Sequence, residues 1–156
     1  MIKIVRIDHR LLHGQVAFSW SKFLDADCIL IASDALMKDE LKMSAMRLAK
    51  PTGIKLVMKS IQDSIKAINS GVTDKYKLFI VVDSVEGAYQ LAKGVPSIKS
   101  INIGGMKAEE GRKQVSKAVF VSDEDIKMLK ELHDNDLELE VRLVPTDTKQ
   151  NFMDLI

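Results

Sequence analysis

A chain of 156 residues with 46% hydrophobic and 29% charged residues has the size and balance of a globular domain with a full core, which excludes a disordered polymer. A formal net charge of +1, with no basic stripe interleaved with aromatics, gives no expectation of a nucleic-acid surface. No apolar run reaches the roughly 18 residues of a membrane span, Asp8-His9-Arg10 interrupts any apolar leader, and a lone cysteine cannot form an internal disulfide, so a cytoplasmic protein is expected.

The chain begins with an apolar strand, Ile2 to Ile7, which runs through a polar loop into a helix starting near Gly14. Val16, Trp20 and Phe23 recur at spacings of four and three and predict one buried face of that helix. Cys28 to Ala32 is continuously apolar, as a strand covered on both sides would be. Ser33-Asp34 offers a cap for a second helix, with a predicted buried stripe of Met37, Leu41, Ala45 and Leu48 that stops before Pro51-Thr52-Gly53. A third strand is expected over Ile54 to Met58, then a helix after Ser60 with Ile61, Ile65 and Ile68 on one side and Gly71 at its end. Leu78 to Val82 gives the clearest buried strand, followed by an Asp83-Ser84 cap and a helix to Gly94. Val95-Pro96 turns the chain into a strand around Ile98 to Ile103 that ends in Gly104-Gly105. A charged loop with Lys107, Arg112 and Lys113 precedes a strand over Lys117 to Val121. Ser122-Asp123-Glu124-Asp125 opens a helix with acids in its first turn. Leu137, Leu139, Val141 and Leu143 alternate with Glu138, Glu140 and Arg142 and predict a half-exposed edge strand, before a last short helix near Asp147 to Leu155.

With no linker, low-complexity tract or internal repeat, the expectation is one domain over residues 1–156. Strands alternating with helices predict a three-layer α/β fold with a mainly parallel sheet. Ligands of such sheets bind beyond the carboxyl ends of the strands. The segments expected there are Asp8 to Gly14, Ser33-Asp34, Ser60, Asp83-Ser84 and Gly104 to Lys107.

The loop Asp8-His9-Arg10-Leu11-Leu12-His13-Gly14-Gln15 holds two of the three histidines together with an acid and an arginine. His13 stands at a helix entrance, where unpaired N–H groups and the helix dipole favour an anion. A neutral imidazole nitrogen is a nucleophile, and Arg10 offers a planar fork that matches phosphate oxygens. The loop therefore reads as a phosphohistidine site.

Arg6-Ile7-Asp8-His9-Arg10-Leu11-Leu12-His13-Gly14-Gln15-Val16, with Trp20 beyond it, resembles the active-site segment of the IIB components of the mannose-type sugar phosphotransferase system. Asn102-Ile103-Gly104-Gly105-Met106 resembles that family's Gly-Gly loop, and Leu137 to Arg142 its C-terminal strand, so the resemblance spans residues 2 to about 155. It implies a phosphocarrier that accepts a phosphoryl group from the phosphohistidine of a IIA protein or domain. It further implies transfer to a sugar carried by membrane IIC and IID components, with no cofactor or metal. By position His13 corresponds to the phosphorylated histidine, Asp8, Arg10 and Gln15 to its flanking residues, and Gly14, Gly104 and Gly105 to the phosphate-binding backbone. The family commonly has an aspartate where this chain has His9. Being at the strand exit, His9 faces fewer helix-entrance N–H groups and is not expected to carry the phosphoryl group. A homo-oligomer is compatible with the resemblance, and neither it nor the sugar is legible in the sequence.

Plainer readings stand beside these. His13 as a helix cap without chemistry, Arg10 as a surface partner of Asp8, and Gly104-Gly105 as a tight turn are each self-consistent. Leu11 and Leu12 serve either to anchor the loop or to present a dry patch to a partner. His9 and His13 alone are two ligands, too few for zinc. Cys28 reads as a small core hydrophobe, His133 as solvated, and the methionines from Met37 to Met46 as core filling. In a different functional class, a non-catalytic α/β module would bind a phosphorylated metabolite in the same loop.

Overall fold

Apolar runs alternating with capped helical segments build a sheet covered on both faces, described over residues 1–156 by a computed structural model. The strands are β1 (Ile2–Asp8), β2 (Cys28–Ala32), β3 (Lys55–Lys59), β4 (Leu78–Val82), β5 (Ser100–Gly105), β6 (Lys113–Ser116), β7 (Val119–Val121), β8 (Glu138–Val141) and β9 (Gln150–Asn151). Five α-helices connect them: α1 (Gly14–Leu24), α2 (Glu40–Ala49), α3 (Ile61–Asn69), α4 (Val85–Gly94) and α5 (Asp123–Asp134). The main sheet runs β3-β2-β4-β1-β5-β8-β9, parallel except for β9, while β6 and β7 form a separate antiparallel hairpin.

Side-chain alternation along the strands sends apolar residues to two separate cores. Ile4, Ile29, Ile31, Phe79 and Val81 meet Trp20 of α1 and Met46 of α2 on one face. Val5, Ile7, Leu30, Ile80, Ile101 and Leu139 meet α3, α4 and α5 on the other. The chain steps from β1 to β2 and β3 in one direction, then back through β4, β5 and β8 in the other, and right-handed crossovers put the two sets of helices on opposite faces. Adjacent β1 and β4 thus send their connections to opposite sides. In sheets of this kind that divergence marks the ligand-binding end, here the carboxyl ends of β1 and β4 next to Asp8.

The sequence reading of the strands holds for β1 to β5, and departs from the structure in several places. The segment after Ser33-Asp34 is a short 3₁₀ turn, Leu36–Lys38; α2 begins later, with Asp39 accepting the Lys42 N–H as its cap. Its predicted stripe is inverted: Leu41 and Leu48 are 84% and 89% exposed, and Met43 and Met46 face the core. Leu12 explains the choice, because its N–H meets the Met46 sulfur at 3.4 Å, so the methionine face supports the loop after β1. Phe23 is likewise not buried but 58% exposed, its ring edge-on to Trp20. The strand expected from Lys117 is the second half of the β6–β7 hairpin, and the expected last helix is β9 followed by a 3₁₀ turn, Phe152–Leu155. Finally, β8 is no edge: β9 pairs outside it, and Glu140 is buried.

The two leucine environments differ enough to test. Leu91→Ala, in the α4 core, is expected to cost about 2–5 kcal/mol, whereas Leu48→Ala should change stability by less than about 0.5 kcal/mol. Urea unfolding of both variants measures the contrast.

Candidate active site

Four of the five helices have a side-chain cap: Asp39, Ser60, Ser84 and Ser122 each accept a first-turn N–H. Helix α1 has none. His13 is its N-cap residue in an extended conformation, its side chain makes no capping bond, and no acid lies in the first turn. Gly14 follows at φ +44°, a left-handed conformation suited to glycine, and Gln15 is exposed on the next position. Uncapped N–H groups and the positive dipole end therefore lie at the helix entrance where His13 sits.

The ring is held from below. Asp8, the last residue of β1, is fully buried, and its Oδ2 lies 2.8 Å from His13 Nε2 and 3.0 Å from Nη2 of Arg6. Its Oδ1 accepts the Arg10 N–H at 3.0 Å, and its carbonyl accepts the Leu11 N–H at 2.9 Å. These two bonds wind the loop into a turn in which Leu11 takes φ +60°, strained for a leucine. Burial of both Leu11 and Leu12 holds that conformation, so these residues anchor the loop. Burial pushes the Asp8 carboxyl up, but the His13 hydrogen bond, the Arg6 charge and the Arg10 N–H outweigh it and hold the group below the ordinary carboxylate range. An ionised Asp8 makes Nε2 the protonated ring nitrogen. Nδ1 has no partner in the protein and is open to solvent.

Arg10 and His9 stand apart from this buried core. The Arg10 side chain is 53% exposed and reaches Asp8 only at 4.0 Å, leaving most of its fork free. The backbone N–H of His9 donates to Gly105 O at 3.0 Å, and its Nδ1 is enclosed without a hydrogen bond. Gly104 and Gly105 lie in strand β5 rather than in a tight turn. Their lack of side chains has a direct cause: a Cβ on Gly104 would overlap the Arg6 guanidinium, and one on Gly105 would press on the Asp8 carboxylate. Of the other expected segments, Ser33 donates to Asp83 at 2.7 Å, Asp34 accepts the Ile61 N–H, and Ser60 caps α3, so these groups satisfy one another. Lys107 and Arg112 face Glu109 on the surface, at 3.8 and 3.7 Å. Cys28 is buried at the opposite, amino-terminal end of the sheet, where burial pushes its thiol up.

What the sequence reading missed is the support beneath Asp8. Arg6 is buried, its Nη1 donating to Asn102 Oδ1 at 2.7 Å and to the Arg142 carbonyl at 3.1 Å. Asn102 in turn donates to Glu140 at 3.1 Å, and Glu140 binds Arg142 through both carboxylate oxygens at 2.9 Å. Both guanidinium groups approach the Trp20 ring, Arg6 at 5.2 Å and Arg142 at 5.1 Å from its centroid. The available signal was an arginine within Ile4 to Ile7, a run apolar but for that residue.

Comparison with known proteins matches residues 2–156 to the family described as PTS system sorbose subfamily IIB component. The sorbose-specific EIIB component of Lacticaseibacillus casei is 33% identical over 153 residues, covering 98% of this chain and 93% of that protein. The mannose-specific EIIAB component of Escherichia coli K12 is 33% identical over 156 residues, all of this chain and 48% of that protein. The crystal structure of the IIBSor domain of the Klebsiella pneumoniae sorbose permease superposes with a TM-score of 0.95 at 31% identity, covering 99% of this chain and 95% of that one. Sheet order and relatives together define a IIB component of a sugar phosphotransferase system. Within that class the chain belongs to the sorbose subfamily, in the mannose-type group, whose members transfer phosphoryl groups in sugar uptake.

The depressed Asp8 carboxyl gives a signed expectation. Its contribution to stability is present above the unfolded aspartate value of about 3.9 and is lost as pH falls through the lower folded value. Asp8→Asn should therefore be less stable at neutral pH, and its disadvantage should shrink as pH drops below about 4. Urea unfolding of both proteins at stepped pH measures this; a constant gap would contradict it.

Proposed function

We propose that this chain, as one IIB domain over residues 1–156, accepts a phosphoryl group on Nδ1 of His13 and passes it to a sugar. The observation that carries the reading is the division of labour on the ring: Nε2 is bound to Asp8, and Nδ1 is open at an uncapped helix entrance. The Nδ1 lone pair attacks the donor's phosphorus in line as the donor's own P–N bond breaks. The ring becomes cationic as Nδ1 gives up its lone pair, and the buried Asp8 carboxylate beside Nε2–H stabilises that charge. Arg10 and the first-turn N–H groups of α1, at Gly14 and Gln15, are suited to the three equatorial oxygens. In the second step a sugar hydroxyl attacks phosphorus, the P–Nδ1 bond breaks, its electron pair returns to Nδ1 and the hydroxyl proton leaves to solvent.

The donor in this reading is a IIA phosphohistidine, which is chemically like His13 and so makes the exchange reversible. The relative named EIIAB in Escherichia coli supports a IIA partner. Sugar and membrane IIC and IID components complete the proposed set, with the domain working in the cytoplasm; no helix of the chain is long and apolar enough to cross a membrane. Cysteine as the acceptor is disfavoured by position: Cys28 is buried, far along β2 from the carboxyl edge, with its thiolate penalised.

Intact mass after incubation with a phosphorylated IIA donor tests the assignment. Wild type and Cys28→Ser should each gain one acid-labile phosphoryl group, and His13→Ala should fold and gain none. Labelled His13→Ala, or a folded Cys28→Ser that stays unlabelled, would move the acceptor elsewhere. A protein that merely binds a phosphorylated metabolite would gain no covalent mass at all.

Arg10→Lys keeps the charge but loses the planar fork. Transfer at saturating donor should slow on the order of ten- to a thousandfold, with the fold unchanged. Rapid-quench rates measure it, and a wild-type rate would reduce Arg10 to a surface residue.

A further inference from the structure

Arg6, Asn102 and Glu140 are not scattered. They occupy registered positions on three adjacent strands: Arg6 pairs with Asn102 across β1 and β5, and Asn102 with Glu140 across β5 and β8. All three side chains lie on the sheet face that carries Ile4 and Trp20, and all three are buried. The row ends at Asp8 on one side and at Arg142 on the other, giving two guanidinium groups and two carboxylates. The Asn102 amide can be placed only one way in it. Its oxygen accepts from Arg6, and its nitrogen donates to Glu140 and to the Arg142 carbonyl at 3.3 Å. The opposite orientation would set an N–H₂ against a guanidinium and an oxygen against a carboxylate.

The position of Arg6 matters because Arg6 and His13 share a single acceptor, Oδ2 of Asp8. One arm of the guanidinium is drawn away toward Asn102 and the Arg142 carbonyl, and the other meets Asp8. Without the negative charge at Glu140 the buried Arg6 cation would have Asp8 as its only carboxylate, and a two-armed grip on Asp8 would compete with the His13 N–H. We propose that Glu140, acting through Asn102 and Arg6, is a positioning residue that keeps the Asp8 oxygen available to His13 and so holds the ring in its Nε2–H form. The inference rests on the His13 reading given above: the Nε2–H form is the one that leaves the Nδ1 lone pair free for transfer.

The test uses two readouts. ¹⁵N NMR of the imidazole in the unphosphorylated protein reports the share of the Nε2–H form, and rapid-quench transfer from a phosphorylated IIA donor reports rate against donor concentration. Fluorescence of Trp20, the only tryptophan, reports that each variant is folded. Glu140→Gln is expected to lower the Nε2–H share and to slow transfer at saturating donor about three- to tenfold, the effect of weakening one hydrogen bond, with the half-saturating donor concentration unchanged. Placing a carboxylate directly beside Arg6 in the double variant Glu140→Gln, Asn102→Asp should restore both readouts, which a role in packing alone would not produce. Should Glu140→Gln not fold, Asn102→Ser cuts the same relay and should shift the ring in the same direction. A wild-type tautomer share in any folded variant with the relay cut would overturn the proposal, and so would slower transfer with that share unchanged. The ring measurement needs no phosphoryl group, so failure of wild type to accept one would sink the functional reading separately.

Discussion

The Asp8 carboxylate, buried at the end of the central strand, is the interaction on which the site depends. It receives the Arg6 guanidinium, the His13 imidazole and the Arg10 backbone N–H, and its own carbonyl closes the turn at Leu11. An ionised carboxylate without these donors would be too costly to bury. Removing any one of them would return part of that cost to the fold, so the strand end, the loop and the helix entrance are fixed together. The glycines of β5 belong to the same constraint, since side chains there would displace the arginine or press on the acid.

A charged row across a parallel sheet runs against the usual apolar character of such sheets. It persists here because every charge is matched: Arg6 by Asp8, Arg142 by Glu140, with Asn102 as a neutral link whose donor and acceptor ends face opposite signs. Trp20 covers the row from α1, its ring near both guanidinium groups and its indole N–H donating to the Leu143 carbonyl at 2.9 Å. Buried ion pairs of this kind contribute little net stability compared with apolar packing, while breaking one partner out is expensive. Such a row is therefore better understood as fixing geometry than as strengthening the fold.

The helices are not capped alike. Those at Asp39, Ser60, Ser84 and Ser122 are closed by side-chain caps, each a local gain of the order of 1 kcal/mol. Helix α1 forgoes that gain and leaves its first-turn N–H groups without a side-chain cap, with a histidine where a serine or aspartate would otherwise sit. The apolar anchors Leu11 and Leu12, seated on the methionine face of α2, hold the open entrance in place.

The alternation of strands and helices, the helix caps other than that of α2, and the loop that carries His13 were legible in the sequence because each depends on neighbours in the chain. Continuous apolar runs such as Cys28–Ala32 and Leu78–Val82 need no long-range information to be read as buried strands. The stripe Leu41, Ala45, Leu48 has a helical period, but a period cannot say which of two faces the fold will cover, and contact with Leu12 chose the methionines. The alternation from Leu137 to Leu143 gave the correct strand and the wrong exposure. Glu140 looked solvated because nothing near it in sequence could neutralise it except Arg142, whereas its remaining partner, Asn102, stands 38 residues away. Sequence by itself therefore determined the class of fold and the candidate nucleophile, both of which are local patterns. Only the tertiary structure decided which charges are buried together, because a buried charge is tolerated only beside its partner, and strand order alone brings those partners into register.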